Sequence, residues 1–408
     1  MTAERARSLP LPGTQHSINP KRIPAERDFV ALSRFGASVR WSVVAAAVLL
    51  MITSIYLILD GAQGLGSGAV ARLFELATNP VIGLLIGVLA TASIQSSTTI
   101  TTLTVAAVGT GGVSVPVTIP IILGANIGTT ITASIVSFSY IGDRVRFRRA
   151  FASATLHTWF NLTFVAIAFV LEALFHPLQR MAGGVSDTLV GEGSTSTGRG
   201  LFTVFGPFID AVGAEGLLGS LLPQRGASVL SILLGTILVL VAVRIINAQL
   251  PVLTAAATRT LLERAAGASD ALGVLSGATI TAAVQASSIT VSSLLPFAVA
   301  RSLKLREILA ITLGANVGTT LMALLTALAV PGALGPYAIQ AALVHVTFNA
   351  MGALLVLLVR PLREWIIRLA ELSGRLADRG YVAVAGAMFA GYFLLPASVV
   401  TLYTLLTQ

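Results

Sequence analysis

The charged residues of the chain stand in clusters, with long apolar runs between them. No Asp, Glu, Lys or Arg lies between Glu75 and Asp143, between Arg149 and Glu172, or between Glu307 and Arg360. A hydrocarbon layer about 30 Å thick takes roughly 20 apolar residues per helix, so each gap has room for at least one crossing. Reading the runs between charges predicts crossings over 41–59, 113–141, 150–171, 226–243, 308–330, 337–359 and 381–406. Two further apolar stretches are broken. In 78–108 Pro80, Gly83, Gly87 and a dense run of hydroxyl residues interrupt the helix, and a similar stretch covers 272–300.

Composition turns this pattern into a class. Of 408 residues 55% are apolar and 11% charged, against about 25% charged in soluble domains, so lipid must cover much of the surface. The expected fold is an all-α polytopic membrane protein. Cysteine is absent, which excludes disulfides, cysteine zinc sites and thiol chemistry.

The net charge of +9 first suggests nucleic acid. Topology explains it better. With the N-terminus cytoplasmic and each broken stretch entering and leaving on one side, the inside pieces are 1–40, 142–149, 244–270, 301–307 and 360–380. They carry 22 of the 26 Lys and Arg, and only Arg72, Arg180, Arg199 and Arg225 fall outside. Positive residues near crossings mark the inside, so the basic balance reports orientation in a cell membrane and needs no nucleic-acid partner. Residues 1–40, with Pro10, Pro12, Pro20 and Pro24, read as a flexible cytoplasmic tail without a signal-peptide pattern. Residues 173–227 read as an extracytoplasmic loop, exposed from Gly183 to Gly200. Residues 360–380, which include Trp365, alternate charged and apolar positions at helical spacing. That suits either an interfacial helix on the cytoplasmic face or a solvated linker helix. A last helix, in 381–408, would leave the C-terminus outside; a cytoplasmic C-terminus would instead mean that 381–406 is not a single crossing.

The chain also repeats itself. The run Leu-Gly-Ala-Asn-Ile-Gly-Thr-Thr at 123–130 returns at 313–320 with one conservative change. Gln-Ser-Ser-Thr-Thr at 95–99 meets Gln-Ala-Ser-Ser-Ile at 285–289 at the same offset, and His157 to Asn161 returns as His345 to Asn349. Three blocks in one order define a duplication over 41–172 and 228–359. Each copy has three crossings and one broken re-entrant hairpin. Three is odd, so the second copy is inverted relative to the first. Inverted repeats with discontinuous helices characterise secondary transporters, although a channel can be built the same way.

The repeated blocks suit ions. Unwound backbone at membrane depth survives only where protein or a water-filled cavity surrounds it. Free N–H groups at a half-helix start attract anions, and Ser and Thr hydroxyls donate to anions or offer oxygens to cations. Such hydroxyls can also simply pack helices, and so can the Gly124/Gly128 and Gly314/Gly318 pairs. Asn126, Asn316, Thr129 and Thr319 therefore read either as packing neighbours or as ion contacts. His157 and His345 suit hydrogen-bonded packing, and without an intramembrane carboxylate they make a zinc site unsuitable. Asn161 and Asn349 offer neutral oxygens to Na⁺. The interior almost lacks ionisable groups. Asp143 next to Arg144 reads as a loop ion pair. A multivalent anion bound in that interior would need co-bound cations.

At these blocks the sequence resembles the type II sodium-dependent phosphate cotransporter family. The resemblance rests on Gln95–Thr99, the second copy at 285–289, both Gly-Ala-Asn-x-Gly-Thr-Thr blocks, Gly142-Asp143-Arg144, Phe147–Ala152 and the His157 to Asn161 block. It implies a symporter importing inorganic phosphate with Na⁺ as coupling ion and no other cofactor, not an enzyme, with the two Gln-Ser-Ser regions meeting at the centre. Carried over by position, phosphate would be held by Ser96, Ser97, Thr98, Ser287 and Ser288. Na⁺ would be held by Gln95, Gln285, Asn126, Thr129, Asp143, Asn161 and Thr319. This chain departs from the electrogenic animal members at Thr158, where they carry aspartate, at Tyr140, where they commonly carry glutamine, and at Ala286, which lacks a hydroxyl. The alternatives are a passive anion channel and a transporter of another oxyanion on the same scaffold. A serine hydrolase is disfavoured, since no Gly-x-Ser-x-Gly elbow occurs.

Overall fold

Backbone in lipid must satisfy its own hydrogen bonds, and for an apolar run without a partner strand only a helix does so. The computed structural model describes residues 34–65, 74–190, 207, 210–214, 216–265, 267 and 269–407, and every regular element among them is helical. The first half comprises α1 (Arg34–Leu65), α2 (Pro80–Ile94), α3 (Ser97–Gly109), α4 (Val115–Gly128), α5 (Ile131–Ser137), α6 (Arg144–Phe175) and α7 (Pro177–Val190). After the short α8 (Leu217–Leu221), the second half runs through α9 (Gln224–Ala265), α10 (Asp270–Val284), α11 (Ser287–Ser293), α12 (Leu295–Val299), α13 (Leu305–Gly318), α14 (Leu321–Ala329), α15 (Gly335–Leu358) and α16 (Arg360–Arg379). The chain closes with α17 (Tyr381–Phe389), a π turn at Ala390–Leu394 and α18 (Leu395–Thr407).

Seven helical stretches are long and apolar enough to cross a membrane: Phe35–Leu65, Val115–Tyr140, Arg144–Phe175, Gln224–Ala265, Leu305–Ala329, Gly332–Leu358 and Tyr381–Thr407. Each coincides with an expected crossing. The two broken stretches are pairs of shorter apolar helices.

Three boundaries differ from the sequence reading. Arg34 to Arg40 belong to α1 rather than to the tail, whose residues 1–33 lie outside the described ones. Here Arg40 donates to Gln249 Oε1 of α9 at 2.6 Å. The fourth crossing does not stop at Val243 but continues as helix to Ala265. The stretch expected to be exposed from Gly183 is helical as far as Val190, and 191–200 lie outside the described residues. The start of α7 has a physical cause. The buried Glu172 carboxylate accepts from Leu178 N (2.7 Å) and Gln179 N (3.1 Å), which supplies the orphan donors of a helix N-terminus.

The helices pack in matched pairs. Helix α2 lies along α4 as α10 lies along α13. Helix α6 packs on α16 as α15 packs on α7, and α3 meets α14 as α11 meets α5. Helix α1 and its counterpart α9 pair with each other. In α16 the residues Arg363, Ile366, Ala370, Gly374 and Ala377 are buried at helical spacing, while Trp365, Leu372 and Leu376 remain exposed. The amphipathic segment 360–380 is thus a helix with one face committed to the protein.

Glycine sets the closest contacts. A Cβ on Gly124 would fall on the carbonyl of Leu84 in α2, and a Cβ on Gly314 on the carbonyl of Val274 in α10. The glycines of the duplicated blocks are therefore packing notches that seat each middle crossing on the first helix of its hairpin. Gly314→Ala forces backbone apart and is expected to lower the thermal unfolding midpoint in detergent, overpacking typically costing about 1–3 kcal/mol. Gly142→Ala, with open space around the added methyl, should leave the midpoint unchanged. Equal midpoints for the two variants would contradict the notch.

Candidate functional site

Both hairpins break in the same way. Helix α2 ends on Gln95 in the left-handed region (φ 62°), and Ser96 follows in extended conformation before α3 begins. Helix α10 ends on Gln285 (φ 60°), followed by extended Ala286 before α11. Left-handed backbone costs a side chain with a Cβ about 1–2 kcal/mol, so surrounding contacts must hold it. Each glutamine amide helps by donating from Nε2 to a carbonyl of its own last turn, Ala92 or Ala282. The two joints meet: Thr98 Oγ1 donates to the Gln285 carbonyl at 3.2 Å. The sequence repeat thus places both signatures at one locus.

Similar backbones carry different side-chain bonds. Ser96 Oγ accepts from Thr99 N (3.2 Å) and from Thr99 Oγ1 (2.9 Å), so it caps α3, whereas Ala286 has no capping group. Gln95 Oε1 accepts from Thr132 Oγ1 at 2.7 Å. Its counterpart Gln285 Oε1 is buried without a protein partner, as is Thr319 Oγ1. At the position equivalent to Thr132 the second copy has Met322, which cannot donate. Ser97, Ser287 and Ser288 are buried residues whose hydroxyls form none of the hydrogen bonds of the site, while those of Thr101 and Thr104 are spent on carbonyls of their own helix.

The His and Asn blocks form a buried network of their own. His157 Nε2 donates to Asn316 Oδ1 (2.6 Å), Asn316 Nδ2 to Asn161 Oδ1 (3.1 Å), and Asn161 Nδ2 to the His157 carbonyl (3.0 Å). Asn316 belongs to the second half, so this network ties the halves together. The mirrored trio of His345, Asn126 and Asn349 is equally buried, but Asn126 is not linked to the other two. Asn126 Nδ2 turns to Ile122 O (2.8 Å) and Asn349 Nδ2 to His345 O (2.9 Å). Both His345 ring nitrogens and Asn349 Oδ1 are left without a protein partner.

Of the other expected residues, Thr129 is buried and is the residue on which α4 ends. Asp143 stands apart, exposed at the start of α6. It accepts from Val145 N (3.0 Å) and Arg146 N (3.1 Å) and pairs with Arg146 at 3.4 Å rather than with Arg144. Among the described residues no group of three His, Asp or Glu forms a metal site. Sequence reasoning missed Thr132, and also Tyr392, whose hydroxyl bonds Thr130 Oγ1 at 2.5 Å. Thr132 lies two residues beyond its block and is not repeated, so the duplication gave no signal there.

Asn316→Ala removes two inter-half bonds and leaves His157 Nε2 and Asn161 Oδ1 buried without partners, a loss of order 1–3 kcal/mol per orphaned group. Its thermal unfolding midpoint should fall well below that of Asn126→Ala, which breaks only a bond within one helix. The reverse order would refute the asymmetry.

Comparison with known proteins follows this geometry. The model of the Na⁺/Pi-cotransporter family matches residues 50–198 and 238–373, one segment over each half. The chain is 31% identical over 381 residues to sodium-dependent phosphate transport protein 2A of Mus musculus, covering 75% of this chain and 60% of that protein. It is 30% identical over 367 residues to the Rattus norvegicus protein of the same name, covering 73% and 58%. It is 28% identical over 440 residues to sodium-dependent phosphate transport protein 2B of Pongo abelii, covering 84% and 62%. The chain thus spans about 60% of the length of these relatives. No solved structure matches it significantly.

Proposed function

The chain belongs to the Na⁺/Pi-cotransporter family, and we propose on that premise that it imports inorganic phosphate with Na⁺ across the cell membrane by alternating access. The observation that carries this reading is the meeting of the two hairpin joints at Thr98 and Gln285, beside the unspent hydroxyls of Ser97, Ser287 and Ser288. With Ser96 and Thr98 they form the phosphate site. Among the described residues the buried side chains that carry a charge are Glu172 and Arg363, and neither is in the joints. Phosphate therefore has no fixed counter-charge there, and Na⁺ supplies it. In this reading Gln95, Gln285, Asn126, Thr129, Asp143, Asn161 and Thr319 hold Na⁺. The unpartnered oxygens of Gln285 and Thr319 are the best supported of these, and Asp143 the least, being exposed and already a helix cap.

Alternating access draws on the inverted repeat, with the hairpins entering from opposite sides. Two halves of like sequence but unlike hydrogen bonding describe one state of a two-state device. Here the His157–Asn316–Asn161 network is closed and its mirror is open. In the opposite state His345, Asn126 and Asn349 close, and the first trio opens.

In proteoliposomes, radiolabelled phosphate should accumulate against its gradient with Na⁺ outside and not with choline. Uptake without accumulation would favour a passive anion pore, and uptake indifferent to Na⁺ would remove the coupling. Ser97→Ala and Ser287→Ala should each raise the phosphate concentration for half-maximal uptake roughly tenfold, as expected for losing one hydrogen bond to a charged ligand. Unchanged values in both would remove these residues from the site.

The chain has no cysteine, so Ser288→Cys introduces a single thiol. Its labelling by membrane-impermeant reagents from the two sides should shift in opposite directions when Na⁺ and phosphate are added. Labelling unaffected on both sides would argue against alternating access.

A further inference from the structure

We propose that a second anion site, separate from the hairpin joints, lies in the cavity between α6, α16 and the turn joining α12 to α13, and that it takes a phosphorylated ligand. The cavity measures about 560 Å³ and is lined by Arg148, Arg149, Arg301, Lys304 and Arg375, with Glu371 as its one acidic side chain. These cations come from three separate parts of the chain. Among the described residues none of the five forms an ion pair.

Positive-inside topology asks only that cations lie on one face, and it would be satisfied by scattering them. Acidic partners do exist among the neighbouring arginines: Arg306 and Arg363 share Asp270 at 2.7 and 2.8 Å, and Arg259 pairs with Glu263 at 2.9 Å. The five cavity cations instead line one space, where Arg149 is near enough to Arg301 and Arg148 to be repelled by both, with Asp143 opposing that repulsion. An excess of like charge that the nearby carboxylates do not balance is destabilising, and an anion relieves it.

The cations are also held in place. Arg149 donates from Nη1 to the Val299 carbonyl at 3.1 Å. The turn carrying Arg301 is fixed by bonds from Arg301 N to Ala298 O (3.2 Å) and Ser302 N to Phe297 O (3.0 Å). Gly374 seats α16 so closely on α6 that a Cβ there would reach the Arg148 carbonyl at 2.6 Å, which brings Arg375 over the start of α6. Guanidinium forks suit phosphate oxygens. The volume exceeds what one inorganic phosphate fills, and Leu303 and Leu305 add apolar wall. The ligand is therefore a phosphate ester or a polyphosphate, drawn from a lipid headgroup or from solution. It would bridge the first half to the end of the second hairpin. Only its placement on the cytoplasmic side rests on the proposed topology.

Full-length protein in phosphatidylcholine nanodiscs, titrated with inorganic pyrophosphate, tests the soluble source. Nanodiscs containing phosphatidic acid, without pyrophosphate, test the lipid source. The thermal unfolding midpoint should rise by a few degrees in at least one arm. The triple variant Arg149→Gln/Arg301→Gln/Arg375→Gln should lose that rise. The variant Arg244→Gln/Arg368→Gln/Arg379→Gln, which removes equal charge outside the cavity, should keep it. No rise in the parent protein, or an equal loss in both variants, would overturn the site. Binding is read without transport, so this result and the uptake result stand or fall separately.

Discussion

Lipid offers a broken helix nothing to bond to, and the architecture follows from that constraint. The chain interrupts two apolar helices, at Gln95 and Gln285, and wherever such a break lies in lipid it strands backbone groups that only protein can surround. The middle crossings are pressed against the hairpins through Gly124 and Gly314, where any larger residue would hold the backbones apart. The glutamine amides fold back on their own helices, and Thr98 bonds across to the other joint. What remains unbonded after this repair is small and local: a few hydroxyls and amide oxygens. Those are the groups on which the proposed ion sites draw.

Near-symmetry makes the differences informative. The halves share helix order, pairing and joint conformation, yet one His–Asn trio is closed across the interface and the other is not. Sequence explains part of the difference. Met322 cannot do for Gln285 what Thr132 does for Gln95, and Ala286 cannot cap α11 as Ser96 caps α3. No such substitution separates the two trios, which contain the same residue types. Their difference lies in how the helices carrying them are set, which is conformation rather than composition.

Much of this was legible in the chain because lipid writes a strong signal. Apolar length located all seven candidate crossings, and the duplicated blocks located both joints. The failures have physical causes. Helix α7 escaped because its start depends on Glu172, a cap supplied from the end of the preceding helix. The extension of α9 past Val243 escaped because polar residues such as Arg244, Asn247 and Gln249 in a long helix look like loop. The bonds that tie Ser96 to Thr99 and Asp143 to the start of α6 were likewise out of sight. A hydroxyl's type is visible in sequence, but its hydrogen-bond partner is not.

The interlocking of the halves bears on how the protein is made. Helix α6 of the first half finds its long neighbour in α16, near the end of the chain, and α7 waits for α15. Trp159 of α6 bonds Ser373 of α16, and His157 bonds Asn316. When the ribosome has finished the first half, that half therefore has inserted helices but no completed interior, with His157 and Asn161 still facing lipid or water. On this packing the interior of the first half is complete only once α16 has been made.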